Sequence, residues 1–293
     1  SYRQNHVLIA MMVFLMPGVL LWTSGVIKEA FLVFALGIAV YLIYRLAVKK
    51  GNQFKNSIGL VVSLFLLLNI KAYMFIVIIP GLFAWYISIS KMQIGSTKGK
   101  SLKKATEFQS ILPVYFFVML IYYTALYNFS PLLTHFSVPE LMHNKQIEFN
   151  NLAQTEKAGS FVEIPTIDNS GWSLVKNAPH AFIYTLIRPA VFEVNNPMML
   201  LAAGENALIA LLILINIYFL FKSNNQFYGQ SFLMLSILLI VSLFCLIGWV
   251  TPILGAVVRY KVPALPFLGA LLVANVKWKR INQNAATLLK ISK

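Results

Sequence analysis

Tyr184-Thr-Leu-Ile-Arg188-Pro189-Ala-Val-Phe-Glu193-Val-Asn195-Asn196-Pro197 closes the longest polar stretch of the chain, and the residues from Met198 to Phe221 that follow are almost wholly apolar. The polar stretch opens at Ser130, and the chain before it is again a series of apolar runs of helical length. A polar loop of this size between two greasy blocks divides the chain into three parts. Residues 1–128 form a first set of membrane helices (about five spans), 129–197 an extracytoplasmic loop, and 198–293 a second set (about three spans) with a basic tail.

Composition supports this division. Of 293 residues, 59% are hydrophobic and 11% are charged, with a mean hydropathy of +0.74. A soluble domain carries about 25% charged residues. The fold expected is therefore all-α, a polytopic transmembrane bundle of about eight spans in a lipid bilayer. The net charge of +15 does not point to nucleic acid, because the basic residues sit at the ends of apolar runs rather than in stripes with interleaved aromatics. The single cysteine, Cys245, lies within an apolar run and has no intrachain partner for a disulfide.

The first run, His6 to Trp22, is broken by Pro17-Gly18, which kinks or shortens it. Arg3 ahead of it resembles the start of a signal peptide, but no small-residue cleavage site follows, so the run is read as an uncleaved first helix. A second run, Ala30 to Ala47, ends in Lys49-Lys50 and a Gly51-Asn52 turn. Apolar residues then run from Ser57 to Ser90, interrupted at Lys71.

Charge decides how that segment is threaded. Lys91 to Lys104 holds five lysines and no acid, and the earlier turn carries Arg45, Lys49, Lys50 and Lys55. Two successive basic loops on one side require two crossings between them, so the segment is read as a hairpin with Lys71 at its outer tip. Gln109 to Asn128, Met198 to Phe221, Ser231 to Val250 and about Pro252 to Val276 complete the set. With both termini cytoplasmic, sixteen of the 24 Lys and Arg lie inside and eight at or near the outer face. The polar loop, outside in this scheme, carries four basic and six acidic residues.

Within the loop, Val138-Pro139-Glu140 starts an amphipathic helix running to about Lys157, and Gly159, Pro165 and Gly171 punctuate the rest. Its aromatic content (Phe161, Trp172, Phe182, Tyr184) suggests a loop that lies on the membrane surface.

Motifs of soluble enzymes are missing. The chain has no phosphate-binding glycine loop, no His-x-x-x-His pair and no nucleophile elbow. His135 and His143 are separated by Pro139 and make no metal site, so neither a metal nor a cofactor is expected. What remains is a set of charges at the outer ends of the spans: Lys28, Glu29, Lys71, Arg188, Glu193, Glu205, Arg259 and Lys261. Ionisable groups in the membrane cost about 2.5–3.5 kcal/mol each, and they normally face a bundle interior or a water-filled cavity. Lys28, Lys71, Arg188, Arg259 and Lys261 are the candidate substrate-binding cations, and their excess over the acids points to an anionic ligand. Arginine beside proline suits fork-like recognition of phosphate. Glu29, Glu193 and Glu205 are the candidate catalytic carboxylates, each a possible base toward a sugar hydroxyl. Structural roles compete with these: Glu29 at a helix N-terminus, Lys71 as a snorkelling tip, Glu205 as a partner of Arg259 or Lys71.

Three stretches, Leu20-Leu-Trp22-Thr-Ser24-Gly25-Val-Ile-Lys28-Glu29, Leu186-Ile-Arg188-Pro189-Ala-Val-Phe192-Glu193 and Gly255-Ala-Val-Val-Arg259-Tyr260-Lys261-Val-Pro263-Ala-Leu-Pro266, resemble bacterial polytopic proteins of cell-surface polysaccharide assembly. These are the C-superfamily membrane glycosyltransferases and the O-antigen polymerases and ligases. The resemblance implies a polyprenyl-phosphate-linked glycan as partner, chemistry at the outer leaflet and residence in the bacterial cytoplasmic membrane. Those transferases carry an acidic residue in the first outer loop, which here is the short corner at Lys28-Glu29. A transporter or flippase for an anionic lipid or solute, and a non-catalytic membrane subunit, are the competing expectations.

Overall fold

The structure, a computed structural model, describes residues 6–25, 28–97, 104–134, 137–222 and 230–274. The centre of the lysine-rich turn, His135 and the basic tail with Lys277, Lys279 and Arg280 lie outside the described residues.

Pro17 divides the first apolar run into α1 (His6–Phe14) and α2 (Pro17–Thr23). It occupies the first position of α2, where a missing N–H leaves nothing unsatisfied. Next come α3 (Lys28–Ala47) and α4 (Gln53–Ile70). They are joined by a turn in which Gly51 takes φ +76° and Asn52 caps α4 by accepting from Lys55 N at 3.2 Å. A single extended residue, Lys71 (φ −151°, ψ 96°), separates α4 from α5 (Ala72–Thr97). Then follow α6 (Lys104–Thr134), α7 (Val138–Thr155), α8 (Gly171–Ile187), a 3-10 turn at Val191–Glu193, α9 (Pro197–Lys222) and α10 (Gln230–Val250). The last span is again broken, into α11 (Leu254–Lys261), a 3-10 turn at Val262–Ala264 and α12 (Leu265–Ala274). Pro263 lies in that 3-10 turn. Among the described residues there is no strand, only an isolated bridge between Phe161 and Ile253.

Seven of these segments are long and apolar enough to cross a bilayer: α3, α4, α5, α6, α9, α10 and α11–α12 taken together. The chain is an all-α, multi-pass integral membrane protein. Side-chain contacts give the direction of each crossing. Lys71 meets Glu29 at the start of α3, and Trp85 stacks on Tyr44 near its end. So α5 runs parallel to α3, and α4–α5 is a hairpin with Lys71 at its tip. Asn216 Nδ2 donates to Leu272 O at 2.9 Å while Asn206 meets Lys261, so α9 and α11–α12 are parallel. The broken α1–α2 runs antiparallel to that last span: a Cβ on Gly269 would touch Met12, and one on Gly18 would touch Leu265. It makes an eighth, interrupted segment beside the seven.

Burial separates centre from rim. The α11–α12 window is 72% buried, whereas those of α4 and α6 are 17% and 11% buried and present Val61, Phe65, Phe116 and Ile121 outward. Lipid tails are as apolar as these side chains, so burial alone does not hold such helices together; close packing and interhelical hydrogen bonds do. Tyr115 Oη donates to Ser231 O and Tyr122 Oη to Ile76 O, both at 2.9 Å. Leu32, Leu36, Met74, Ile78, Leu239 and Leu243 fill the centre.

The polar stretch is more ordered than a plain loop. Ser137 and Glu140 form a reciprocal capping box at the start of α7. Gln146, buried, donates to Pro165 O and Trp249 O and accepts from Ile167 N, tying α7 and the 165–167 strap to the end of α10. His143 is bound to Ile167 O. Helix α8 descends against the last two turns of α10: Thr185 Oγ1 donates to Phe244 O at 2.9 Å, and Gly248 admits the backbone of Ala181. Part of the polar stretch therefore lies level with a membrane span. Trp172, Val175, Ile183 and Ile187 on the outer side of α8 remain exposed.

Candidate functional site

All eight charges singled out in the sequence fall at the α7–α8 end of the bundle, in three groups.

The first group is centred on Glu29, whose side chain is 0% exposed. Arg259 grips it with both prongs, Nε to Oε1 at 2.6 Å and Nη2 to Oε2 at 3.0 Å, and Lys71 Nζ donates to Oε1 at 3.0 Å. The ammonium of Lys71 lies 4.5 Å above the Tyr260 ring, and the Arg259 guanidinium 5.6 Å from the Trp22 ring. Both cations thus find an aromatic face as well as a carboxylate. Lys71 lies between two spans; burial pulls its proton affinity down, and the bond to Glu29 opposes this. Lys28 is exposed at the first residue of α3. Glu29 occupies the first turn of α3, where the helix dipole favours an acid. Its oxygens are already directed at two cations, so it is poorly disposed to act as a base.

The second group is built on Lys261 of α11 and on Glu205 and Asn206 of α9. Lys261, 2% exposed, donates to Asn206 Oδ1 and to Arg188 O at 3.4 Å. Asn206 Nδ2 in turn holds the carbonyls of Ile187 (3.2 Å) and Pro189 (3.0 Å), locking the end of α8 to α9. Its neighbour Glu205, 4% exposed, accepts from Gly18 N at 2.5 Å through Oε2, while Oε1 has no hydrogen-bond partner among the described residues. The expected pairing of Glu205 with Arg259 or Lys71 is corrected: Glu29 takes both cations. Glu205 instead caps the N–H that the break at Pro17 leaves open.

In the third group Arg188 Nη1 lies 3.2 Å from Glu193 Oε1, with its guanidinium 5.3 Å from the Tyr184 ring. Glu193 Oε2 accepts from Ala190 N at 2.8 Å. The Arg188–Pro189 peptide is cis. Burial raises the Tyr184 phenol above its usual range, and its hydroxyl donates to Thr251 O at 3.2 Å.

A cavity of about 450 Å³ opens between α2, α9 and α11. Arg259 is the cation on its wall; Trp22 and Tyr260 supply aromatic faces, Ser160 and Asn196 polar groups, and Gly18 part of the lining near Glu205. Leu254 N donates to Ser160 O at 3.0 Å and Asn195 Nδ2 to Gly159 O at 3.2 Å, which seats the 159–162 strap over the start of α11. Exposed Leu21 and Met198 border the opening. The volume suits one head group or a drug-sized ligand. Lys71 and Arg188 do not line it.

Sequence reasoning thus found Arg259 and its setting but passed over Trp22, Tyr260 and Asn206. Trp22 and Tyr260 stood within the quoted stretches. An amide such as Asn206 inside an apolar run is itself a signal of interhelical bonding. Ser160 and Asn196 carried no signal, since polar residues in a loop are ordinary. The chain matches no protein-family model, no curated protein and no solved structure.

Proposed function

We propose that the protein is a glycosyltransferase or polymerase of bacterial surface-polysaccharide assembly, resident in the cytoplasmic membrane with both termini inside. On this reading the cavity beside Arg259 receives the phosphate-bearing head group of a polyprenyl-linked sugar at the outer leaflet. The observation that carries it is the guanidinium of Arg259, anchored by Glu29 on one edge and 5.6 Å from the ring of Trp22, which lines the same cavity with Arg259 and Tyr260. A cation held in place beforehand meets a phosphate without reorganising, and aromatic faces suit the apolar side of a sugar ring. Of the three carboxylates, Glu205 is the one with an oxygen unpaired among the described residues, and it is the candidate to take a proton from an acceptor hydroxyl; Glu29 and Glu193 are committed to ion pairs.

The test is glycan production in cells carrying Arg259→Ala. Product should be lost at normal protein level; full product would remove the reading. Arg188→Ala, whose cation is spent on Glu193, should have the milder effect.

One observation favours a second reading, translocation of an anionic lipid. The two interrupted segments, α1–α2 and α11–α12, lie side by side with their breaks adjacent, Gly18 against Leu265. Broken helices facing each other are a feature of transport paths. Movement of the lipid across vesicles without turnover would select this reading, and turnover in detergent would reject it.

A further inference from the structure

We infer that the Arg259 cavity selects a singly charged phosphodiester head group over a diphosphate. This deepens the proposed function and rests on it.

The charges and donors on the cavity wall match a single negative charge. Glu29 is set against Lys71 and Arg259, so these three bonded side chains carry one positive charge in excess. The two other groups add no charge to the cavity wall: Arg188 is matched by Glu193, and buried Lys261 and Glu205 do not line it. Exposed Lys28, like Lys71, is off the cavity wall, which leaves Arg259 as the cation lining it among the described residues. The described residues that line the cavity include no carboxylate and no second cation.

Donors give the same count. A guanidinium has five N–H groups in a rigid fork. Nε and one Nη2 hydrogen are directed at Glu29, which leaves the Nη1–Nη2 edge with two parallel N–H groups. A phosphodiester presents two non-bridging oxygens sharing one charge, which this edge fits. Asn196 Oδ1 accepts from Met199 N, so its amide would meet a ligand through its N–H groups, and with the Ser160 hydroxyl on the same wall it would serve the ester oxygens or the sugar. The second phosphate of a diphosphate would bring further negative charge to a wall of Trp22, Tyr260, Met198 and Ala202, where no cation answers it.

Purified full-length protein in lipid nanodiscs should be titrated with farnesyl methyl phosphate and with farnesyl diphosphate, which share a chain and differ in charge. The expected result is affinity for the diester about tenfold or more above that for the diphosphate. Glu29→Gln adds one positive charge to the group and should shrink that ratio. Arg259→Lys keeps the charge but removes the fork, and should weaken the diester about tenfold. Tighter binding of the diphosphate, still dependent on Arg259, would overturn the selectivity while leaving the anionic-lipid reading intact. Binding of neither probe by the wild-type protein would overturn both.

Discussion

Glu29 and Arg259, 230 positions apart, are joined through two parallel hydrogen bonds of 2.6 and 3.0 Å, and Lys71 completes the group at 3.0 Å. The bond set closes the bundle at one end, since it links α3, the tip of the α4–α5 hairpin and the broken last span.

Removing the carboxylate should cost more than removing either cation. Glu29→Ala leaves two cations without their counter-charge, a loss of about 3 kcal/mol, at the lower end of the buried-pair range because Arg259 is 37% exposed. Thermal melting in detergent should show a larger drop for Glu29→Ala than for Lys71→Met. Equal melting temperatures would mean that solvent already screens the group.

Asn206 and Lys261 should behave as a unit. Asn206→Leu strands a fully buried ammonium and two carbonyls, a loss of about 3 kcal/mol or more, whereas Asn206→Leu combined with Lys261→Leu should be milder than the sum of the singles. Strictly additive losses in a double-mutant cycle would show that the two do not act together.

Two glycines provide opposite outcomes. A Cβ on Gly248 would lie 2.1 Å from Ala181 O, so Gly248→Ala must push α8 off α10 and should cost about 2 kcal/mol or more. Gly37 has open space at that position, and Gly37→Ala should gain roughly 0.5–1 kcal/mol from helix propensity. Melting temperatures that moved together would contradict the packing of α8.

The start of α7 should depend on pH. Ser137 N donates to Glu140 Oε2 at 2.7 Å, and this bond holds the Glu140 carboxyl below its usual range. The folded helix therefore binds that proton more weakly than the unfolded chain does. The cap is fully formed above the ordinary carboxylate pKa of about 4 and is lost as pH falls through the lowered value. Amide exchange at Leu141, corrected for its intrinsic rate, should quicken in acid relative to the C-terminal half of α7. Glu140→Gln should abolish that difference.

Much of the architecture was legible because the signals are local. Pro17 broke the first run, Lys71 interrupted an apolar stretch, and Ser137 with Glu140 wrote a helix start three residues apart. The site was legible only as a list of charges, since an intramembrane charge announces that it has a partner without saying which. Glu205 illustrates the gap: it stood as close in sequence logic to Arg259 as Glu29 did, yet it binds the backbone of Gly18.

The sequence by itself determined that this chain lives in a bilayer, how its helices are cut and at which end its charges gather, because hydropathy and the conformations of proline and glycine act over a few residues. Only the tertiary structure decided that Glu29 unites Lys71 and Arg259, that Arg188 turns aside to Glu193, and that Trp22 and Tyr260 wall the cavity. Those outcomes depend on how α2, α9 and α11 pack against one another. An ion pair forms with whichever charge packing brings within reach, and that distance is not a property of any single stretch of chain.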